Sequence, residues 1–155
     1  MQVGSLSCRD LLAGALARSS ARADLAGASV ACDTPPDLAI LADARWTDRI
    51  LDNLVTNGLA HGGRTPNIVL TAQKVGDDVL ICVQDDGPGV PEPLRDSVFE
   101  RFIRGTESSG SGLGLFISRG LARLMDGELI LDAGSESKGA TFSLRLPCAN
   151  SKRPS

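Results

Sequence analysis

The segment Asp85-Asp86-Gly87-Pro88-Gly89 follows directly on an apolar run, Val79-Leu80-Ile81-Cys82-Val83. The run predicts a strand from Val79 to Asp85, and Asp, Gly and Pro predict a turn where it ends. A turn alone accounts for that composition. The same residues also suit a ligand. A carboxylate at a strand end accepts a hydrogen bond from an amino group, and glycines let backbone pass close to a flat ring with no Cβ in the way. Just upstream, Asn67 to Lys74 predicts a second strand, joined to the first across Gly76-Asp77 as a hairpin.

Working outward from the hairpin, Asp43 suits the N-cap of a helix running to about His61. Its apolar face is Trp46, Ile50, Leu51, Leu54 and Val55, and Gly62-Gly63 ends it. An earlier helix is predicted over Cys8 to Leu25, with Leu11, Leu12, Ala15 and Leu16 at helical spacing. Val30 to Asp33 is a short strand candidate, broken by Thr34-Pro35-Pro36, where a loop begins. After the turn come a short helical piece around Leu94 to Phe102 and a glycine-rich segment from Gly105 to Gly112. A third long helix follows over Leu113 to Met125, then strands over Glu128 to Asp132 and Ala140 to Leu146. Helices and an antiparallel-leaning sheet predict an α+β fold in two layers.

Composition bounds the function. The chain has 155 residues, room for one domain rather than two full-sized ones. A net charge of −3 argues against broad nucleic-acid or anionic-membrane binding. Aromatic residues are 3% with no tyrosine, so stacking platforms for single strands lack material. No apolar stretch approaches a membrane span, and the N-terminus does not read as a signal peptide. Cys8, Cys32, Cys82 and Cys148 form no CxxC pair, which disfavours zinc, and Cys82 reads as a buried free thiol. That spread suits a reducing, cytoplasmic compartment.

Two further clusters carry chemistry. Asn53-Leu54-Val55-Thr56-Asn57 places Asn53 and Asn57 four apart on one helical face. They read as a solvated face, or as amide oxygens offered to a hard cation such as magnesium. Gly110-Ser111-Gly112-Leu113-Gly114-Leu115 opens a helix, where free N–H groups and the helix dipole favour an anion. No lysine follows the last glycine, so this is not a P-loop. The preceding segment is polar loop, so the dinucleotide-binding βαβ pattern fits poorly.

In this order the clusters resemble the catalytic, ATP-binding domain of bacterial sensor histidine kinases, of the Bergerat (GHKL) fold. Asn53 to His61 resembles the N-box, Asp85 to Gly89 the first glycine box, and Val98-Phe99-Glu100-Arg101-Phe102 with Arg104 the F-box. Gly110 to Leu115 resembles the second glycine box and Gly139-Ala140-Thr141-Phe142 the closing glycine-threonine motif. The resemblance covers residues 6–147, leaving 148–155 as a polar tail. It implies a mixed, mostly antiparallel sheet packed on three helices.

The resemblance implies ATP and Mg2+ as ligands. Asp85 would accept from the adenine amino group, where an asparagine oxygen would still accept. Gly87 and Gly89 would pass close to the base. Thr141 would help fix a water near adenine, and Asn57 would coordinate magnesium. Asn53 would lie beside the ion or the terminal phosphate. Gly110, Gly112 and Gly114, with Leu113, would wrap the phosphates, and Gly105 to Ser111 would form a lid. The ATPase branches of the fold carry a glutamate in place of Asn53 as general base. An amide cannot take that proton, so kinase chemistry is expected rather than hydrolysis. Asp52 lies about 100° around the helix and should not substitute.

Some positions depart from the family pattern. Gly58 stands where alanine is usual, weakening the helix by roughly 1 kcal/mol. Ala60 stands where a lysine or arginine is frequent. Phosphate charge would fall to magnesium, His61, Arg101 or Arg104, and the two arginines also read as plain surface residues. His61-Gly62-Gly63-Arg64-Thr65-Pro66 superficially resembles a phosphoacceptor box. It lacks the acidic neighbour and the surrounding helical hairpin, so His61 is assigned to the N-box. The expected partner is a dimerisation and histidine-phosphotransfer domain, on the same or a separate chain, and indirectly a response regulator. The competing readings are an anti-sigma-factor-like serine kinase of the same fold and a degenerate ATP-binding scaffold. The F-box argues against the first, and the intact Asn57, Asp85 and glycine boxes argue against the second.

Overall fold

The computed structural model describes residues 1–61, 65–90, 97–100, 114–132 and 139–149. In chain order the elements are β1 (Val3–Ser7), α1 (Cys8–Ala26), β2 (Ser29–Asp33), β3 (Ala39–Asp43), α2 (Ala44–His61), β4 (Asn67–Val75), β5 (Asp78–Asp85), α3 (Gly114–Leu124), β6 (Glu128–Asp132) and β7 (Thr141–Pro147). The main sheet runs β2-β4-β5-β7-β6, and β1 pairs with β3 in a second sheet of two strands. Among the described strands, β2 and β4 pair in parallel and the other neighbours are antiparallel. The result is the expected α+β sandwich: a mixed, mostly antiparallel sheet with three described helices against it.

Strand alternation decides which face is buried. Ile68, Leu70 and Ala72 of β4, Val79, Ile81 and Val83 of β5, and Phe142, Leu144 and Leu146 of β7 point into the core. There they meet Leu11, Leu12 and Ala15 of α1 and Ile50, Leu51, Leu54 and Val55 of α2. Caps fix where the helices start. Ser7 Oγ accepts from the Asp10 amide at the head of α1. At the head of α2, Asp43 Oδ1 accepts from the Trp46 amide and Thr47 Oγ1 donates to the Asp43 carbonyl. The other carboxylate oxygen of Asp43 accepts from the Gln2 amide at 2.6 Å. Those amides hold the Asp43 carboxyl below the usual carboxylate range.

Three expectations are corrected. The loop expected after Pro36 contains β3, and β1 was not anticipated. β1 and β3 are five residues each, and Asp43 is both the last residue of β3 and the cap of α2, so no turn residue separates strand from helix. Cys148, counted with the polar tail, is 1% exposed and bridges Ile40, so the folded unit extends past 147. It also starts before Leu6, because β1 begins at Val3. Cys82 is half-buried rather than buried; it lies on the outer face of β5, with its Sγ 3.3 Å from Ser143 Oγ. The buried thiols are Cys8 and Cys148, and burial, with Cys148 nearby, pushes Cys8 up to about 11.

Candidate nucleotide site

Asp85 is the last residue of β5 and lies on its core side, 7% exposed. A carboxylate placed there must be hydrogen-bonded. Its Oδ1 accepts from the Gly87 amide at 2.9 Å and from the Ala140 amide at 3.2 Å. The Asp85 amide donates back to the Ala140 carbonyl at 3.0 Å. Among the described residues, Oδ2 receives no hydrogen bond. Gly139 makes this possible. Its φ is +65°, and a Cβ on it would lie 2.5 Å from Asp85 Oδ1 and closer still to the Asp85 carbonyl oxygen. Gly89 also has positive φ, at 80°, and closes the turn.

The neighbouring Asp86 has a different task. Its Oδ1 accepts from the Asn67 amide at 2.9 Å and its Oδ2 from Asn67 Nδ2 at 2.7 Å. Ser29 Oγ donates to the remaining Asn67 oxygen. The Asn67 donors hold the Asp86 carboxyl below its usual range. Asp86 therefore locks the start of β4, while Asp85 lies on the core side of the sheet under α2.

Helix α2 passes directly above Asp85. A Cβ on Gly58 would lie 2.9 Å from Ile68 Cδ1 and 3.8 Å from Asp85 Cβ. The departure at Gly58 thus has a structural reason: it lets α2 sit close on β4 and β5. Asn57 and Asn53, one turn apart, are both half-buried. Asn53 Nδ2 donates to Ser118 Oγ at 2.9 Å and to the Gly114 carbonyl at 3.3 Å. The first turn of α3 therefore rests on the asparagine face of α2. Asp52 points elsewhere: the guanidinium Nε of Arg18 on α1 is 3.0 Å from both of its oxygens. That agrees with the expectation that Asp52 does not take over a base role. Arg22 likewise donates to Thr56 Oγ1 at 2.7 Å.

The structure brings Asn53 to Gly114 and Asp85 to the Gly87–Gly89 turn, with Asn57 beside Gly58 on the helix that packs against Asp85. His61 closes α2, and its side chain lies outside the described residues, as do Arg101, Arg104, Gly110, Gly112, Leu113 and the segment expected to be a lid. Thr141 is corrected. The register pairs it with exposed Gln84, so both lie on the sheet face opposite Asp85 and Val83. Ala140 stands beside Asp85 instead, and it contributes backbone, not a hydroxyl. Of the two F-box phenylalanines, Phe99 is described. Its ring meets Phe142 edge-on at 6.0 Å, and the Arg119 guanidinium lies 5.0 Å above it. Sequence reasoning missed Ser118 and Arg119. Ser118 did leave a signal: a small polar residue one turn after Gly114, directly following Leu115-Phe116-Ile117.

Residues 42–150 match the family model described as histidine kinase-, DNA gyrase B-, and HSP90-like ATPase. The chain belongs to this family. The signal transduction histidine-protein kinase AfsQ2 of Streptomyces coelicolor is 39% identical over 109 residues, which is 68% of this chain and 20% of that protein. Among solved structures, the ATP binding domain of PrrB from Mycobacterium tuberculosis is 30% identical with a TM-score of 0.77, over 97% of this chain and all of that one. Full-length ShkA in complex with AMPPNP is 29% identical with a TM-score of 0.86, over all of this chain and 33% of that one. The chain thus spans a minor part of the full-length kinases it matches, and its fold is that of their ATP-binding domains.

Proposed function

We propose that this domain binds ATP with Mg2+ and donates the γ-phosphoryl group to a histidine on a dimerisation and phosphotransfer domain, in two-component signalling. The observation that carries the reading is Asp85. It is a nearly buried carboxylate with one oxygen held by two amides and the other without a hydrogen bond among the described residues. That oxygen suits the amino group of adenine. That full-length ShkA was solved in complex with AMPPNP supports a nucleotide reading.

The donor set fits magnesium of the kind that arrives with a nucleotide. Asn57 offers one amide oxygen, and among the described residues no cluster of three His, Cys, Asp or Glu forms a cage. Such an ion, when bound, neutralises charge developing on the phosphates. This chain's residues bind and orient. Asp85 fixes the base, Gly87 and Gly89 line it, and the head of α3 at Gly114, with Gly110, Gly112 and Leu113 before it, receives phosphate. His61, Arg101 and Arg104 supply further charge. In the transfer, an acceptor imidazole nitrogen bonds to the γ-phosphorus, the bond to the β–γ bridging oxygen breaks, and ADP leaves. Asn53 takes no proton from water, so hydrolysis stays slow. No described helix is long and apolar enough to cross a membrane. We place the domain in the cytoplasm, upstream of a response regulator.

The test is a calorimetric titration with ATP, with and without Mg2+, followed by γ-labelled ATP and an added acceptor hairpin. Labelled hairpin histidine with unlabelled His61 supports the reading. Nucleotide binding without any transfer to a cognate hairpin favours the degenerate scaffold.

A further inference from the structure

Asn53 meets two different groups of α3. The Gly114 carbonyl can only accept, so the side of the Asn53 amide facing α3 must be its NH2. Ser118 Oγ, 0% exposed, takes the shorter bond to the same nitrogen. With Nδ2 committed to α3, the planar amide has one orientation, and Oδ1 is turned away from that helix. The contact also sets how close α2 and the head of α3 lie. A Cβ on Gly114 would sit 3.9 Å from Asn53 Cγ, in ordinary van der Waals contact.

We propose that Ser118 is a positioning residue of the phosphate end: its buried hydroxyl holds the Asn53 amide with Oδ1 presented as an acceptor, and holds the first turn of α3 against α2. This rests on the Mg-ATP reading above. Ser118 touches no nucleotide in this scheme; it acts through Asn53. A buried serine inside an apolar stretch of helix otherwise gains little, because Ala is the better helix former and leaves no polar atom to satisfy.

The experiment is a double-mutant cycle on this chain, with Mg-ATP and AMP titrated against wild type, Ser118→Ala, Asn53→Ala and the double variant. Ser118→Ala should weaken Mg-ATP about fivefold, the loss of one ordinary hydrogen bond. AMP lacks the outer phosphates, so its affinity should hold. In the Asn53→Ala background, Ser118→Ala should cost nothing further, and Ser118→Thr, which keeps the hydroxyl, should restore binding to about twofold of wild type. A second readout needs no nucleotide. The Asn53 side-chain NH2 protons, followed by NMR, should exchange faster in Ser118→Ala than in wild type. Additive losses in the cycle, equal losses for AMP, or unchanged NH2 exchange would each overturn the positioning role. A wild type that binds no Mg-ATP would overturn the nucleotide reading, and the role with it, even if the amide contact were intact.

Discussion

The two ends of the proposed nucleotide site are built by opposite means. At the base end, backbone does the holding: two amides on Asp85 Oδ1, a reciprocal bond to the Ala140 carbonyl, and Gly139 folded tightly over the carboxylate. At the phosphate end, one side-chain amide on α2, that of Asn53, reaches across to α3. The first arrangement is fixed by sheet register. The second depends on the spacing of two helices, so small polar substitutions can tune it.

That contrast sets the order of expected effects. Gly139→Ala should do the most damage. It combines a left-handed backbone with a Cβ driven into Asp85, and should cost at least about 2 kcal/mol of stability along with nucleotide binding. Urea melts and a titration check both; a variant of wild-type stability would break the account of the base end.

Asp85→Ala comes next. It removes a charged acceptor, worth at least about tenfold in ATP affinity, and leaves the Gly87 and Ala140 amides unpaired. Asp85→Asn separates the two losses. Its single oxygen stays with the amides, and its NH2 then faces the adenine amino group, donor against donor. Contrary to the expectation from sequence, Asn should bind ATP no better than Ala, while melting closer to wild type. Guanine nucleotides binding wild type as well as adenine ones would refute the assignment of Asp85.

Asn57→Ala should be milder, because the side chain is half-buried and no part of the hydrophobic core. ATP binding should lose its dependence on Mg2+ while the melting temperature holds. Calorimetry with and without the ion decides this, and equal dependence in variant and wild type would refute the metal role.

The smallest effect belongs to Gly58→Ala. A gain of about 1 kcal/mol in helix propensity opposes crowding against the tip of Ile68. The net should lie within about 1 kcal/mol of wild type. Shortening the obstacle with Ile68→Val should reveal the gain: in the Ile68→Val background, Gly58→Ala should stabilise the domain by about 1 kcal/mol in chemical melts.

Much of this was legible in the sequence. The α1 and α2 limits and the β4–β5 hairpin follow from periodicity, caps and turn residues, while the boxes were read through the family resemblance. β1 and β3 were not legible, because five-residue strands with no turn before the next helix leave no pattern to read. Thr141 was misread for a different reason. The motif drew notice to a hydroxyl, whereas the sheet face is set by alternation, and the group beside Asp85 is a backbone amide of Ala140. Any residue but proline supplies an amide, so its identity carries no signal. The Asn53–Ser118 contact spans 65 positions, and only the folded chain shows which helical faces meet.

Asp43 has a mechanical consequence. Its two carboxylate oxygens are divided between the Gln2 amide, at the head of β1, and the Trp46 amide, in the first turn of α2. β1 is zipped to β3 up to the Val3–Asp43 pair, so strand and helix share one pivot. From that pivot to Asn53 is about ten residues, a lever arm of about 15 Å. A tug on residues 1–3 is therefore not felt at the sheet edge alone: through the shared carboxylate it bears on the first turn of α2, the helix that carries Asn53 and Asn57.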